Sequence, residues 1–153
     1  MSGGAYRVRE IEPDEEEAVL RLVLSVFRQF NAAQYGENPE RFTDTMTPER
    51  LEELADEGLV LVALSSDDTV AGVIAFEGET HLELLFVDPA HHRSGVATTL
   101  WETARLWLEP DEVTVNASDY AEPWYLARGF AHEPGHVSET TGAPIKRMVW
   151  RGG

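Results

Sequence analysis

Leu82-Glu83-Leu84-Leu85-Phe86-Val87-Asp88-Pro89-Ala90-His91-His92-Arg93-Ser94-Gly95-Val96-Ala97-Thr98-Thr99-Leu100 is the stretch on which the fold turns. It opens as an apolar run, breaks at Asp88-Pro89 and restarts at Gly95. Pro89 cannot donate a backbone hydrogen bond and biases Asp88 toward an extended conformation, so a strand is expected to stop there. Past Gly95 the apolar residues fall at Val96, Leu100, Ala104, Trp107 and Leu108, which is helical spacing. Strand, short loop and helix start thus follow one another directly. The loop from His92 to Ala97 points unpaired backbone N–H groups off the strand's end, an anion site made from backbone. Gly95 lets a ligand approach without a Cβ in the way, and Ala97 is nearly as small.

Neither G-x-x-x-x-G-K-[ST] nor G-x-G-x-x-G occurs. The loop instead resembles the acyl-CoA-binding loop of the GNAT superfamily of N-acetyltransferases, V-x-P-x-x-[QR]-x-x-G-x-[GA], which opens a helix. Val87, Pro89, Gly95 and Ala97 match, and His92 stands at the Gln or Arg position. The resemblance implies acetyl-CoA as co-substrate. Its pyrophosphate would sit on the loop formed by His92, Arg93, Ser94, Gly95, Val96, Ala97 and Thr98. Its pantetheine arm would run along the backbone of Leu85, Phe86 and Val87, where the family's sheet splays open. Arg93 or Arg128 would supply the charge that His92 does not, although Arg93 reads equally well as a solvated loop arginine.

A chain of 153 residues, 42% of them apolar, is expected to form one domain with a real core over residues 1–153. No run of ~18 apolar residues and no signal peptide are visible, so the expected location is the cytoplasm, away from membranes. With no cysteine there is no disulfide framework, thiolate nucleophile or Cys-based zinc site. The net charge of −16, with Lys146 the one lysine, disfavours nucleic acid as a partner. It fits either a salty cytoplasm or a genome that swaps Lys for Arg.

Taken in order, Tyr6 to Ile11 reads as a strand and Pro13-Asp14 as a helix start, with Asp14 as N-cap and Glu17 closing a capping box. That helix has an apolar face of Val19, Leu22, Val23, Val26, Phe27 and Phe30. Residues 31–46 read as a loop containing Gly36 and Pro39, either a connector or a wall of the acceptor pocket. Thr47 caps a second helix with Pro48 at its first position; Leu51 and Leu54 form its apolar side and Gly58 ends it. Leu59–Leu64, Thr69–Phe76 and the central strand then form an antiparallel meander, with Gly72 a bulge or close contact. After the helix from Gly95 come a strand from Glu112 to Asn116, a short helix capped by Ser118 or Asp119 and ended by Gly129-Phe130, and two weak strands about a Thr-Thr-Gly-Ala-Pro turn. The order β-α-α-β-β-β-α-β-α-β-β predicts an α/β (α+β sandwich) fold: a mixed, mostly antiparallel sheet of about seven strands with helices on both faces. It is also the GNAT order.

A second stretch, Asn116 to Phe130, is similar to the family's N-x-x-A-x-x-[FL]-Y-x-x-x-G-F. Ala121, Tyr125, Gly129 and Phe130 match, Ser118 replaces the family's Asn, and Asn116 and Ser118 are taken toward the cofactor. The resemblance makes Tyr125 the general acid for the departing thiolate; as plain packing it would lie on the sheet. His81 and Glu83 share one face of the central strand and are the candidate bases. Glu83 is out of place in an apolar run, and burial would raise its pKa. His91-His92 and His132/His136 invite a metal, but Pro134-Gly135 breaks the spacing and no metal is expected. Trp101 and Trp107 read as core and interface aromatics.

The leading expectation is an N-acetyltransferase acting on a primary amine of a small molecule or peptide by direct attack on the thioester. The acidic chain mildly favours a cationic acceptor, and a homodimer is compatible with this reading. The alternative is a non-catalytic acyl-CoA-sensing module on the same fold. A structural domain without cofactor leaves the 82–100 spacing unexplained.

Overall fold

The structure is a computed structural model that describes residues 6–31, 40–133 and 146–152. Strand β1 (Arg7–Glu10) leads through a 3-10 turn into α1 (Glu16–Val26), which widens into a π-helical turn over Phe27–Asn31. A one-turn α2 (Glu40–Thr43) and α3 (Pro48–Glu57) follow, then the meander β2 (Leu59–Leu64), β3 (Val70–Glu77) and β4 (His81–Val87). Next come α4 (Val96–Leu108), β5 (Glu112–Ala117), α5 (Glu122–Ala127), β6 (Ala131–His132) and β7 (Lys146–Arg151). The seven strands form one sheet in the order β1-β2-β3-β4-β5-β7-β6, antiparallel except where β4 meets β5. The α/β reading and strand count therefore stand. The Gly36–Pro39 part of the loop, the Thr-Thr-Gly-Ala-Pro turn and His136 lie outside the described residues. No described helix is long and apolar enough to cross a membrane.

All six residues of β2 are buried because both sheet faces are covered. Leu59, Leu61, Ala63, Ile74 and Phe76 face α4, packing on Val96, Leu100, Trp101 and Ala104. Val60, Val62, Leu64, Val73 and Ala75 face α1 and α3, packing on Val19, Val23, Phe27, Leu51 and Leu54. Trp101 is fully buried between Phe130 and Trp150, and truncating it to Ala would cost about 3–5 kcal/mol. Of the two tryptophans read as core and interface aromatics, Trp101 is the core one; Trp107, six residues on, comes round to the solvent side of α4 and is 51% exposed.

The helix starts differ in how far the sequence foretold them. Thr47 caps α3, its Oγ1 accepting from Arg50 N at 3.1 Å, with Pro48 first in the helix. The first helix does not use Asp14 and Glu17. Its capping box is Glu12 with Glu15, two residues earlier, because Arg9 on β1 clamps the Glu15 carboxylate at 2.7 and 2.8 Å. That guanidinium holds the Glu15 carboxyl below its usual range.

Two features of the sheet position the site. A Cβ on Gly72 would lie 2.9 Å from Val96 Cγ1 and 3.2 Å from the Phe86 carbonyl, so α4 packs directly on the sheet there. Strand β4 is bulged: Ala75 pairs with Leu84 and Phe76 with Leu82, leaving Glu83 as the extra residue. Leu82 consequently packs in the α4-side core while Leu84 and Phe86 pack in the α1–α3 core.

Candidate active site

β4 and β5 pair at only two positions, His81 with Thr114 and Leu82 with Val115. Beyond these the strands diverge, and the side of β4 from Leu85 to Val87 opens onto a cleft of about 620 Å3. Its far wall is the start of α4 and one face of α5. Gly95 takes φ +82°, a left-handed conformation that favours glycine, and a Cβ there would meet nothing within 4 Å. The first bond of α4 runs from Thr99 N to Gly95 O at 2.9 Å, so the amides of Val96, Ala97 and Thr98 lack an intrahelical acceptor. Arg128 lines the same cleft, its guanidinium 5.2 Å from the Trp124 ring, and its buried Nε has no hydrogen-bond partner among the described residues. Helix-start amides, a positive dipole end and an orphaned guanidinium donor fit a phosphate-bearing ligand.

Most of the expected cofactor residues line this cleft: Leu85, Phe86, Val87, His92, Arg93, Gly95, Val96, Ala97, Thr98 and Ser118. Ser94 and Asn116 do not. Asn116 lies in a neighbouring cavity and its Oδ1 accepts from Arg147 Nε at 2.6 Å. Ser118, rather than Asp119, caps the turn into α5, its Oγ accepting from Ala121 N at 3.1 Å. His92 turns inward. Its Nε2 lies 2.9 Å from the Val87 carbonyl oxygen, its Nδ1 lies 3.3 Å from Tyr120 Oη, and its ring sits 5.4 Å from Phe30.

The neighbouring cavity, of about 170 Å3, lies on the α1–α3 side of the gap. Phe27, Phe42 and Phe86 form its apolar wall, and His81 and Glu83 its polar end. Glu83 is not sealed in the core. Its side chain is 29% exposed, 3.6 Å from His81 Nε2 and 3.8 Å from Arg50 Nη2. His81 and Glu83 do share a face, as alternation suggested, and the bulge turns Leu84 to it as well. The second ring nitrogen of His81 lies 2.8 Å from Thr114 Oγ1. Burial lowers the His81 pKa, opposed by the charge of Glu83 and assisted by those of Arg147 and Arg50, so the ring is neutral at pH 7.

Tyr125 lies where the two spaces meet; it lines both. It is 4% exposed, wedged edge-on against Trp124 and Phe130, and burial raises its phenol well above the usual tyrosine pKa. Sequence reasoning missed Arg50, Thr114, Tyr120 and Trp124. Arg50 reaches Glu83 from 33 positions away in the chain, and no local pattern marks such a contact.

A family model described as an acetyltransferase (GNAT) domain matches residues 15–151. A comparison with curated proteins found no match. Among solved structures, the GCN5-related N-acetyltransferase from Rhodopseudomonas palustris aligns with a TM-score of 0.82 at 19% identity, over 96% of each chain. The PaiA N-acetyltransferase from Thermoplasma acidophilum, solved with coenzyme A, gives 0.80 at 16% identity over 97% of this chain and 99% of that one. A GNAT family acetyltransferase from Brucella melitensis, solved with acetyl-CoA, gives 0.66 at 16% identity over 97% and 88%. At these identities the likeness is one of fold.

Proposed function

This chain belongs to the GNAT family of acetyltransferases, and we propose that, as a single domain, it transfers acetyl from acetyl-CoA to a primary amine by direct attack. The observation that carries this reading is the position of Tyr125 at the junction of the two spaces. The larger space has phosphate-binding chemistry, and the smaller has a carboxylate and an apolar wall. A thioester held in the first would present its acyl carbon toward an amine held in the second.

Acetyl-CoA, when bound, supplies the acetyl thioester, whose C–S bond breaks as the amine forms the C–N bond. The amides of Val96, Ala97 and Thr98, with Arg128, hold the phosphates. An ammonium acceptor must lose one proton before it attacks and a second as the amide forms. Glu83 takes these, directly or through water, with Arg50 and His81 fixing its carboxylate. Tyr125, protonated at neutral pH, gives its proton to the leaving thiolate and regains one afterwards. The sum is ammonium plus acetyl-CoA to amide, CoA thiol and one released proton.

Thermal shift with CoA and with acetyl-CoA, followed by thiol release over an amine panel, tests the proposal. Stabilisation by both and release with an amine are expected. Stabilisation with no release from any amine would favour the acyl-CoA-sensing alternative.

A further inference from the structure

The smaller cavity has a chemistry of its own. Phe27 and Phe42 stack with centroids 4.2 Å apart and planes 17° from parallel, and Phe86 lies 6.0 Å from Phe42. Leu82, Leu85, Val115 and Ala121 complete the apolar lining, and Asn116, Ser118 and Tyr125 add uncharged polar groups. Glu83 is the single acid among the described lining residues, and it stands at the polar end beside His81. A dry cavity of about 150 Å3 holds one benzene. The volume here, about 170 Å3, adds room for only a short arm.

We propose that the acceptor is a small monoamine with an aromatic or compact apolar body, seated against Phe27, Phe42 and Phe86 with its ammonium toward Glu83. The inference rests on the acetyltransferase reading and narrows it to a substrate class. The ring gains edge or face contact with the phenylalanines, and the ammonium finds a carboxylate with aromatic faces nearby. A polyamine would bring a second and third ammonium into a lining with one acid among its described residues, and desolvating them there is unfavourable. A tetrapeptide exceeds what about 170 Å3 holds, so most of its backbone would stay outside this lining.

The test compares 2-phenylethylamine, spermidine and an alanine-started tetrapeptide, read by thiol release with saturating acetyl-CoA and by calorimetric binding to the CoA-bound protein. Expected is a kcat/KM for 2-phenylethylamine at least tenfold above both others, with measurable heat of binding for it alone. Phe42→Ala, with Phe42→Leu as the milder variant, should raise the KM for 2-phenylethylamine about tenfold or more while the KM for acetyl-CoA holds. Preference for spermidine or the peptide would overturn the substrate class and leave the acetyltransferase reading standing. No thiol release with 2-phenylethylamine while another amine of the panel releases thiol would overturn the substrate class alone; no release from any amine, despite acetyl-CoA binding, would overturn both. The ranking on the unaltered protein decides the matter even if neither Phe42 variant folds.

Discussion

The ring Nε2 of His92 and the carbonyl oxygen of Val87 lie 2.9 Å apart, joining the loop before α4 to the last residue of β4. A carbonyl only accepts, so Nε2 carries a proton and donates to Val87, and Nδ1 lies 3.3 Å from Tyr120 Oη. In the proposed site His92 would act on the loop by orienting it, and its side chain need not touch phosphate. His92→Ala is expected to raise the KM for acetyl-CoA about threefold to tenfold with little change in kcat. His92→Gln keeps a donor for Val87 and should restore most of the loss. Equal defects in the two variants would show that the bond to Val87 does not matter.

Gly95→Glu should abolish CoA binding in a folded protein. Position 95 combines a left-handed φ with open space toward the cleft, so a glutamate would add strain and set a negative charge at the helix start. Gly95→Ala adds the strain without the charge and should weaken binding less. Calorimetry with CoA separates them, and unchanged affinity in Gly95→Glu would remove the loop from the cofactor site.

Glu83→Gln keeps the size of the side chain and removes the carboxylate that Arg50 and His81 flank. Turnover is expected to fall by about 10²-fold, the scale for losing a placed base. The acidic limb of the pH–rate profile should change while CoA affinity holds. An acidic limb identical to that of the unaltered protein would exclude Glu83 as the base.

His81 links the site to stability. Its folded-state pKa is lowered, chiefly by burial, so below the ordinary value of ~6.5 the unfolded chain binds a proton that the folded chain resists. Its contribution is fully present above that pH and is lost as pH falls through the folded value. Thermal midpoints should therefore drop as pH falls below about 6.5, and His81→Gln should flatten that part of the curve. A variant with an unchanged slope would locate the pH dependence in other groups.

The strand–loop–helix at 82–100 was legible because its determinants are local: Pro89 ends β4, Gly95 starts α4, and apolar spacing sets the faces. Thr47-Pro48 was legible for the same reason. What the sequence hid depends on partners distant in the chain. The first helix start moved because Arg9, on β1, selects Glu15. The β4 bulge at Glu83 is set by pairing with β3, and a uniform run of Leu does not reveal a skipped partner. Trp101 and Trp107 look alike as residues, and only the packing of Phe130 and Trp150 decides which is core. Asn116 sat in a family motif, yet Arg147 on the adjacent β7 takes its side chain.

Tyr125 is the residue on which the proposed chemistry depends most. A departing thiolate has a conjugate-acid pKa of ~8.5 and an ordinary tyrosine ~10. Burial raises the Tyr125 phenol further, so it is fully protonated at neutral pH but a weak donor toward a free thiolate. The proton must therefore move as the C–S bond breaks, when charge builds on sulfur beside the hydroxyl. Tyr125→Phe keeps the ring between Trp124 and Phe130, so the fold at pH 7 and the acetyl-CoA affinity should hold. Turnover should fall by roughly 10²-fold or more. The deficit should shrink with an acyl donor whose thiol is more acidic, because that leaving group needs the proton less. Alkaline stability gives an independent readout. The unfolded tyrosine ionises near ~10 while the buried one resists, so its stabilisation is present below that pH and lost as pH rises above it. Removing the hydroxyl should flatten the alkaline decline. If Tyr125→Phe turns over at the unaltered rate where chemistry is rate-limiting, yet still flattens the decline, then Tyr125 is a packing residue and the proton for sulfur comes from elsewhere.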